Sequence, residues 1–447
     1  MSSGSFASWM LSQEARALLT RLERIKSFAM SETMVPAATL SVEAQAALES
    51  YLVKGRRELR TQIHQYLAWL EGPWGRHAAP AEAQRRFTFL RLRFNVVLSQ
   101  FDIFSEAMSQ RSEADNGVWL AGLDVLSKNA LELPGYYEAP PVICYLARGP
   151  GAAIRRARTR LPGGGANPVA IIRVPRERMI GSSLASSLFH EVGHQGAALL
   201  DLVASLRVAL RDVPREGPED ALVWGLWERW ISEVVADFWS VARVGVTATV
   251  GLMGVVSLPR PFVFRLNMDD PHPIPWIRVK LSSALGGLLY PHPQWARLAR
   301  LWKAFYPIDG LSEQHRRVLG ALEASLPRIA RLLVEHRPES LRGRTLVEVM
   351  KTRERQPDRL AELYREWRAR RSRIRESPPS LVFAVIGQAR ADGAITPEEE
   401  SKALAELLKY WALRSTLDAS ETCASLSKSR TLASVLRAPA LPRNVVT

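Results

Sequence analysis

The sequence predicts a mainly α-helical protein with a small β-sheet, an α+β fold in which helical regions flank a central core on both sides. Apolar residues recur every three or four positions through most of the 447 residues, which is typical of helices that bury one face. Two short runs rich in β-branched residues and bounded by Pro and Gly interrupt this pattern in the middle of the chain. Such runs are typical of strands.

The first region, residues 1–135, is expected to be helical throughout. Apolar residues at helical spacing predict one long helix over residues 41–70, which ends before Pro73. A second apolar stripe predicts another long helix over residues 81–112. Both stripes are typical of core packing, so no catalytic site is expected here.

The second region, residues 136–306, begins where the sequence changes character near Pro134. The two predicted strands are residues 141–146 and 168–174. Gly181 and the two serines after it have the chemistry of a helix start. Further helices are predicted over residues 218–244, at about 247–256 and from Pro273 onward.

Beyond Pro307 the sequence predicts a charged helical extension over residues 307–376, then a compact unit over residues 377–419. Residues 388–399 have the spacing of an EF-hand loop, but Gln388 and Arg390 stand where calcium needs oxygen ligands, and an arginine would repel the ion. This unit resembles a degenerate EF-hand or a TerB-like helical domain, suited to packing or to docking a protein partner. Residues 420–447, rich in Ser, Ala and Pro, are expected to form a flexible tail.

The formal net charge is +15, and Arg greatly outnumbers Lys. A basic protein can attract nucleic acid, acidic lipid or acidic proteins through its summed field. The positive residues are spread along many segments, however, with local runs only at residues 155–160 and 368–375. Charge therefore identifies neither a nucleic acid nor a membrane partner.

Cysteine content and apolar stretches indicate a cytoplasmic protein. Cys144 and Cys423 lie far apart, which excludes a disulfide framework and a Cys-based zinc module. The N-terminus lacks the basic and apolar segments of a secretory signal. The stretch with few charges, residues 238–258, contains Arg243 and three glycines, so a buried core helix is expected there.

Residues 190–194 read His-Glu-Val-Gly-His, an HExxH motif. On a helix, His190 and His194 lie on one face, so both imidazoles can reach a single ion. Zinc accepts neutral imidazole nitrogen and keeps a position open for water, from which Glu191 could take a proton. The alternative is a pair of helix histidines that only pack or form hydrogen bonds. A third ligand is needed to decide.

Residues 230–237 supply a candidate for that ligand. Glu233 would complete a His₂Glu set, which is the ligand set of one class of catalytic zinc sites. Asp237, one helical turn later, can accept the other ring N–H of His190 or His194. Carboxylates among so many tryptophans are costly to bury without partners, and a metal with its histidines would supply them. The alternative is a solvated acidic face, which is our interpretation of Glu228.

A third motif lies at residues 270–278, Asp-Pro-His-Pro-Ile-Pro-Trp-Ile-Arg. The chain therefore contains, in order, HExxH at 190–194, Glu-Val-Val-Ala-Asp at 233–237, and His-Pro followed after four residues by Arg278. This series resembles the HtpX and CAAX prenyl protease group of zinc metallopeptidases, the gluzincins. The resemblance covers roughly residues 169–285.

The resemblance implies a mostly helical, zincin-like metallopeptidase core whose edge strand, here residues 168–174, aligns the peptide substrate. It makes His272 and Arg278 candidates to stabilise the oxyanion and to organise the site. The alternative is a rigid Pro-His-Pro loop with Arg278 as a surface cation. Integral members of the group carry membrane helices that this sequence lacks, so a soluble member or offshoot is implied.

Together the motifs predict a zinc-dependent endopeptidase that hydrolyses peptide bonds with a metal-activated water. In this hypothesis His190, His194 and Glu233 bind Zn²⁺, and Glu191 is the general base. The alternative is a zinc-binding scaffold or interaction protein, catalytically silent or active only under some conditions, that contacts nucleic acid through its basic surface. Glu191 favours the enzyme, because a purely structural zinc site has no use for a base.

Overall fold

Helices carry most of the chain in the computed structural model, and one three-stranded sheet accompanies them, which confirms the predicted fold class. The structure describes residues 3–25, 33–149, 151–161, 165–176, 181–370 and 372–436.

The helices before the sheet are α1 (Ser3–Arg24), α2 (Val42–Glu71), α3 (Pro73–Arg76), α4 (Pro80–Ser109) and α5 (Ala114–Leu131). The strands are β1 (Val142–Ala147), β2 (Ala153–Arg155) and β3 (Ala170–Pro175). The helices that follow in the central part of the chain are α6 (Gly181–Leu199), α7 (Leu202–Arg211), α8 (Pro218–Val244), α9 (Val246–Val256), α10 (Arg260–Val263), α11 (Pro275–Leu289) and α12 (Pro293–Phe305). The remaining helices are α13 (Glu313–Glu335), α14 (Leu346–Val349), α15 (Pro357–Ala369), α16 (Ser372–Glu376), α17 (Pro379–Ala391) and α18 (Pro397–Leu436).

Helices α1, α2 and α4 pack against one another and form what we call the N-terminal bundle. The start of α2 follows from its capping residue, because the Ala44 N–H donates to Ser41 Oγ over 3.2 Å. The apolar stripe of α2 and the stripe of α4 both face the bundle core, where Leu52 and Phe94 are buried. Both long helices predicted for this region are confirmed.

The sheet lies between two hydrophobic cores. Its strand order is β1-β3-β2, with β1 parallel and β2 antiparallel to β3. Because successive side chains of a strand point to opposite faces, Ile143 and Ile171 belong to the core of the N-terminal bundle, whereas Cys144 and Ile172 belong to the larger core on the other face. The sheet therefore joins the bundle to the body of the protein.

The strand predicted at residues 168–174 exists as β3, but the expectation that it is the edge strand is wrong. β3 is the central strand, and β2 forms the edge beside it. The sequence of β2, Ala-Ile-Arg, is three residues long, too short for an alternating pattern to be seen. Its strand conformation depends on pairing with β3, which is a tertiary effect.

The predicted boundary of the N-terminal region at residue 135 is too late. Helix α5, which was assigned to that region, packs in the larger core against β1, α6 and α18. The physical reason lies in the middle of the helix, where the consecutive residues 119–123, Trp-Leu-Ala-Gly-Leu, are all buried. A helical stretch that is apolar on all sides is buried on all sides.

The unit predicted at residues 377–419 is not set apart from the rest of the protein. Helix α17 is buried in the larger core, where the Phe383 ring lies 6.3 Å from the Phe189 ring of α6. Gln388, the first place of the EF-hand-like loop, lies inside α17, and its side-chain amide donates to Asp392 Oδ1 over 3.0 Å. The helix thus occupies the place where a calcium loop would begin.

Residues 420–436, which the sequence assigned to a flexible tail, continue helix α18. Ser and Leu are the commonest residues there, and neither Gly nor Pro, the two residues least favourable in a helix, occurs in this segment. Residues 437–447 of that tail lie outside the described residues, as do the contacts of the Cys423 side chain.

The stretch at 238–258 is divided between α8 and α9 by Gly245, whose φ of 59° lies in the left-handed region. Most of its residues are buried in the larger core, as expected. Among the described helices, none has the length and apolar composition needed to cross a membrane.

Candidate metal centre

The helices that carry the predicted ligands, α6 and α8, cross at very close range. A Cβ at Gly193 would lie only 2.8 Å from Ala236 Cα and 2.9 Å from Trp239 Cβ. A Cβ at Gly196 would lie 2.4 Å from the Trp239 ring. Larger side chains at these two positions would force the helices apart, so the glycines allow the histidine face of α6 to reach the carboxylate face of α8.

At this crossing His190, His194 and Glu233 converge. The two Nε2 atoms lie 3.2 Å apart, and the Glu233 carboxylate faces both, with Oε2 at 3.1 Å from His190 Nε2 and Oε1 at 3.3 Å from His194 Nε2. Within the part of the chain that the structure describes, this is the one group of His, Cys, Asp and Glu side chains arranged to hold a metal ion. Glu233 is 9% exposed, so the interpretation of a solvated acidic face is wrong for this residue.

Asp237 contacts the first of these histidines, as predicted. Its Oδ1 lies 2.8 Å from His190 Nδ1, which leaves Nε2 of that ring directed at Glu233 and His194. Burial would lower the pKa of His190, but the charge of Asp237 and the hydrogen bonds with Asp237 and Glu233 together outweigh it and raise that pKa to about 9. Burial would likewise raise the pKa of Glu233, yet hydrogen bonds with His190 and His194 hold it far below its ordinary value.

The Arg278 side chain is only 12% exposed and lies against Asp237, so its interpretation as a surface cation is wrong. Its Nε donates to Asp237 Oδ2 over 2.6 Å and its Nη2 to Oδ1 over 2.8 Å, a bidentate pair. Burial would raise the pKa of Asp237, but Arg278 is the main cause that lowers it to about 2. Because Asp237 accepts from two of the three guanidinium nitrogens, the geometry favours Arg278 as a residue that organises the site over one that meets an oxyanion.

Glu191 lies one position after His190 and is 8% exposed. Its carboxylate lines the same cleft as the three ligand candidates. It makes no hydrogen bond or ion pair with any residue that the structure describes. A buried carboxylate without a partner is costly, and here it faces the space beside the ligands.

His272 reaches the site from the loop before α11 and stays half exposed, with 57% of its side chain accessible. Its Nε2 lies 3.8 Å from Glu233 Oε2, and its Nδ1 lies 2.8 Å from Asp270 Oδ1. The loop is itself anchored to α8, because the Trp230 indole N–H donates to the Asp270 carbonyl over 3.1 Å. The Pro-His-Pro segment is therefore a loop that is anchored to α8 and that places His272 in the wall of the site.

These side chains line a cleft of about 460 Å³, which we call the cleft. One wall is the edge strand β2 with the residues just before and after it, from Gly151 to Arg156. Leu252 and Val255 of α9 form an apolar part of the lining. The edge strand and the ligand candidates therefore line the same space.

All seven predicted site residues, His190, Glu191, His194, Glu233, Asp237, His272 and Arg278, line the cleft. Two contributors were missed. Ser232 Oγ lies 3.4 Å from His194 Nδ1, and Gln195 Oε1 accepts the Ala157 backbone N–H over 2.7 Å, which ties the end of β2 to α6. Ser232 could have been found from its place beside Glu233, whereas nothing in the sequence links Gln195 to Ala157.

The chain was compared with models of protein families, with curated proteins and with solved structures. No family model, curated protein or solved structure matches it.

Proposed function

We propose that the protein is a zinc-dependent endopeptidase whose centre is the group of His190, His194 and Glu233 with Glu191 beside it. The observation that carries the proposal is the convergence of these ligand atoms from two separate helices, at mutual distances of 3.1 to 3.3 Å. Helix histidines that only pack would not need a buried carboxylate opposite both of their Nε2 atoms.

The donor set and its spacing suit zinc. Zinc in catalytic sites takes three protein ligands, and His₂Glu is one of the sets that recur. Ligand atoms about 2.0 Å from one tetrahedral ion stand roughly 3.3 Å from one another, because that is the edge of such a tetrahedron. When bound, zinc would polarise the scissile carbonyl and lower the pKa of a water molecule toward neutrality.

The residues around the ligands have distinct parts in this proposal. Glu191, which makes no hydrogen bond or ion pair with a described residue, accepts the proton of the attacking water and returns it to the leaving amine. Arg278 and Asp237 hold His190 in one orientation through the bonds described above. His272, oriented by Asp270, donates a hydrogen bond to the negative charge that develops on the carbonyl oxygen.

We also propose a family relationship, a cellular location and a protein partner. The motif series supports a relationship to the HtpX and CAAX prenyl protease group. A cytoplasmic location is supported by the two distant cysteines, of which Cys144 is buried and free. A protein partner at the C-terminal unit is supported by Leu413 and Leu417, which are 53% and 58% exposed and lie one turn apart on α18.

The test is a metal analysis of the purified protein followed by a casein or peptide-library digest with wild type and Glu191→Gln. We expect one zinc per chain in both proteins, and a loss of about a hundredfold or more in kcat for the variant, because a general base is worth that much. Glu228→Gln is the matched control, since Glu228 pairs with Arg211 outside the cleft.

Two outcomes would contradict the proposal. A protein that binds no zinc would remove its basis. One zinc per chain with indistinguishable digests by wild type and Glu191→Gln would favour the scaffold alternative.

A further inference from the structure

The edge strand carries one cation into the cleft. Arg156, immediately after β2, lines the cleft, as does Ile154, whereas Arg155 between them does not. This follows the alternation of a strand: Ile154 packs toward the larger core, and Arg155 donates to Gln100 Oε1 of the N-terminal bundle over 2.9 Å. Two adjacent arginines therefore serve opposite sides of the sheet.

The backbone that carries Arg156 is held on both sides. The side-chain amide of Asn167, 2% exposed, donates to the carbonyls of Arg155 and Arg156 over 3.1 and 3.0 Å. The next residue, Ala157, is bonded to Gln195, the neighbour of His194. The base of the Arg156 side chain is thus fixed relative to the metal ligands, as a recognition residue requires.

Arg156 is also the arginine of the cleft lining that no carboxylate of the lining contacts. The carboxylates that line the cleft are Glu191, Glu233 and Asp237, and a divalent ion together with Arg278 would balance them. The Arg156 side chain is exposed and makes no hydrogen bond or ion pair with any residue in the described ranges. A guanidinium in this state is available to a ligand, and its preferred partner is a carboxylate.

We propose that Arg156 is a specificity-determining residue that selects peptides with a carboxylate on the β2 side of the scissile bond. The inference rests on the proposed peptidase function and adds its substrate class. The carboxylate can come from an Asp or Glu side chain or from the C-terminus of a short peptide, and both present the same two oxygens to the guanidinium.

The experiment uses the full chain loaded with zinc and pairs of peptides that differ in one group. One series exchanges Gln for Glu at each position around the cleaved bond, always with an amidated C-terminus. A second pair compares one neutral peptide as its amide and as its free acid. Both kcat/KM and, with the inactive Glu191→Gln protein, peptide affinity by fluorescence anisotropy are measured.

For wild type we expect one position at which Glu is preferred over Gln, by about threefold or more in kcat/KM and in affinity, which is the range of a solvent-accessible ion pair. Arg156→Gln should remove the preference and still cleave the Gln peptides, and Arg156→Glu should invert it. Arg160→Glu, which makes the same change in net charge outside the cleft, should keep it. A preference confined to the free-acid peptide would identify the C-terminal carboxylate as the source.

Two results would overturn the inference. One is an equal preference in wild type and Arg156→Gln, in cleavage and in affinity. The other is peptide cleavage by wild type with no preference at any position. If wild type cleaves nothing, the proposed function fails, and the affinities of the Glu and Gln peptides for the Glu191→Gln protein still decide whether Arg156 selects a carboxylate.

Discussion

Two regions of the protein contain sequence motifs that are associated with metal binding. One is the crossing of α6 and α8, which contains the HExxH motif, and the other is the turn between α17 and α18, which contains the EF-hand-like residues. In the crossing, His190 and His194 lie on one helix and Glu233 on another, and all three point into the same cleft. In the turn, Gln388 is buried in α17 and its amide donates to Asp392 and to Gln294 Oε1, so these groups satisfy one another.

The two segments differ in whether their polar side chains are fully hydrogen-bonded within the chain. At the crossing, two imidazole rings and a carboxylate face one another at about hydrogen-bond distance, and a metal ion would replace the proton that they hold. At the turn, donors and acceptors are already matched within the chain. Motif spacing alone therefore does not predict a metal site. The folded segments must also bring several possible ligand atoms together.

The largest expected effect separates the two segments directly. Glu233→Ala should lower zinc affinity by more than about a hundredfold, because loss of a ligand exceeds the 10- to 100-fold loss typical of outer residues. Asp392→Ala should leave zinc affinity unchanged, and calcium should not bind to either protein. Competition with a chromogenic chelator measures the zinc affinity, and isothermal titration measures calcium. Retention of wild-type affinity by Glu233→Ala would remove the ligand assignment.

A second pair of variants compares the helix packing of the two segments. Gly193→Ala should destabilise the protein by about 1–3 kcal/mol through overpacking and should also weaken zinc binding, because its Cβ would meet Ala236 Cα at 2.8 Å. Gly387→Ala should destabilise without changing zinc affinity, since its Cβ would meet Thr247 Oγ1 at 1.8 Å, away from the cleft.

Gly225→Ala is the control for this pair. It lies on α8 with no heavy atom within 4 Å of the added Cβ, so helix propensity should stabilise it by up to about 1 kcal/mol. Denaturant unfolding with and without zinc measures all three. An unaltered free energy of unfolding for Gly193→Ala would show that the helices do not depend on this close approach.

A third test measures the proton that His190 is expected to release when a metal binds at the crossing of α6 and α8. In the metal-free protein the pKa of His190 is raised to about 9, so the ring is protonated at neutral pH and must lose that proton to bind a metal. Zinc affinity should therefore rise about tenfold per pH unit from pH 7 and level off above about pH 9. Calorimetry in buffers of different ionisation enthalpy counts the released proton.

Asp237→Asn is the control for the pH dependence. Without the carboxylate that raises the pKa of His190, the rise in affinity should move to lower pH, and the plateau affinity should fall about 10- to 100-fold. A wild-type affinity that is constant between pH 7 and 9 would contradict the predicted proton release.

The smallest effect concerns Ser232. Its Oγ lies 3.4 Å from His194 Nδ1, a long contact, so Ser232→Ala should weaken zinc binding only about two- to fivefold. Ser325→Ala, which removes the acceptor of the Trp227 indole N–H away from the cleft, should not change it. A loss as large as that of Asp237→Asn would mean that both histidines depend equally on an outer partner.

Much of the site could be predicted because its residues are close in sequence within two helices. The i, i+4 spacing in α6 and α8 fixes which side chains share a face, and the predicted bounds 218–244 match α8. What remained hidden depends on contacts between distant segments. β2 needs β3 as a partner, and the anchoring of His272 needs Trp230, 40 residues away from Asp270.

The boundary of the first region was misplaced for a similar reason. Amphipathic α2 shows in its sequence that one face is buried. The apolar residues 119–123 in the middle of α5 cover all sides of that helix and do not indicate which neighbours bury them. Of its partners, β1 follows soon after it along the chain, whereas α18 begins only at Pro397. Only the folded arrangement reveals to which core such a helix belongs.

Because both faces of the sheet are buried, the N-terminal bundle cannot be removed without exposing one of them. A fragment that began at α5 would contain every residue of the cleft, yet Ile143 and Ile171 would lose the cover of the N-terminal bundle. Exposed apolar surface of this kind promotes self-association. Truncation to the part of the chain that lines the cleft would therefore yield aggregates, and samples for biochemistry have to retain the N-terminal bundle.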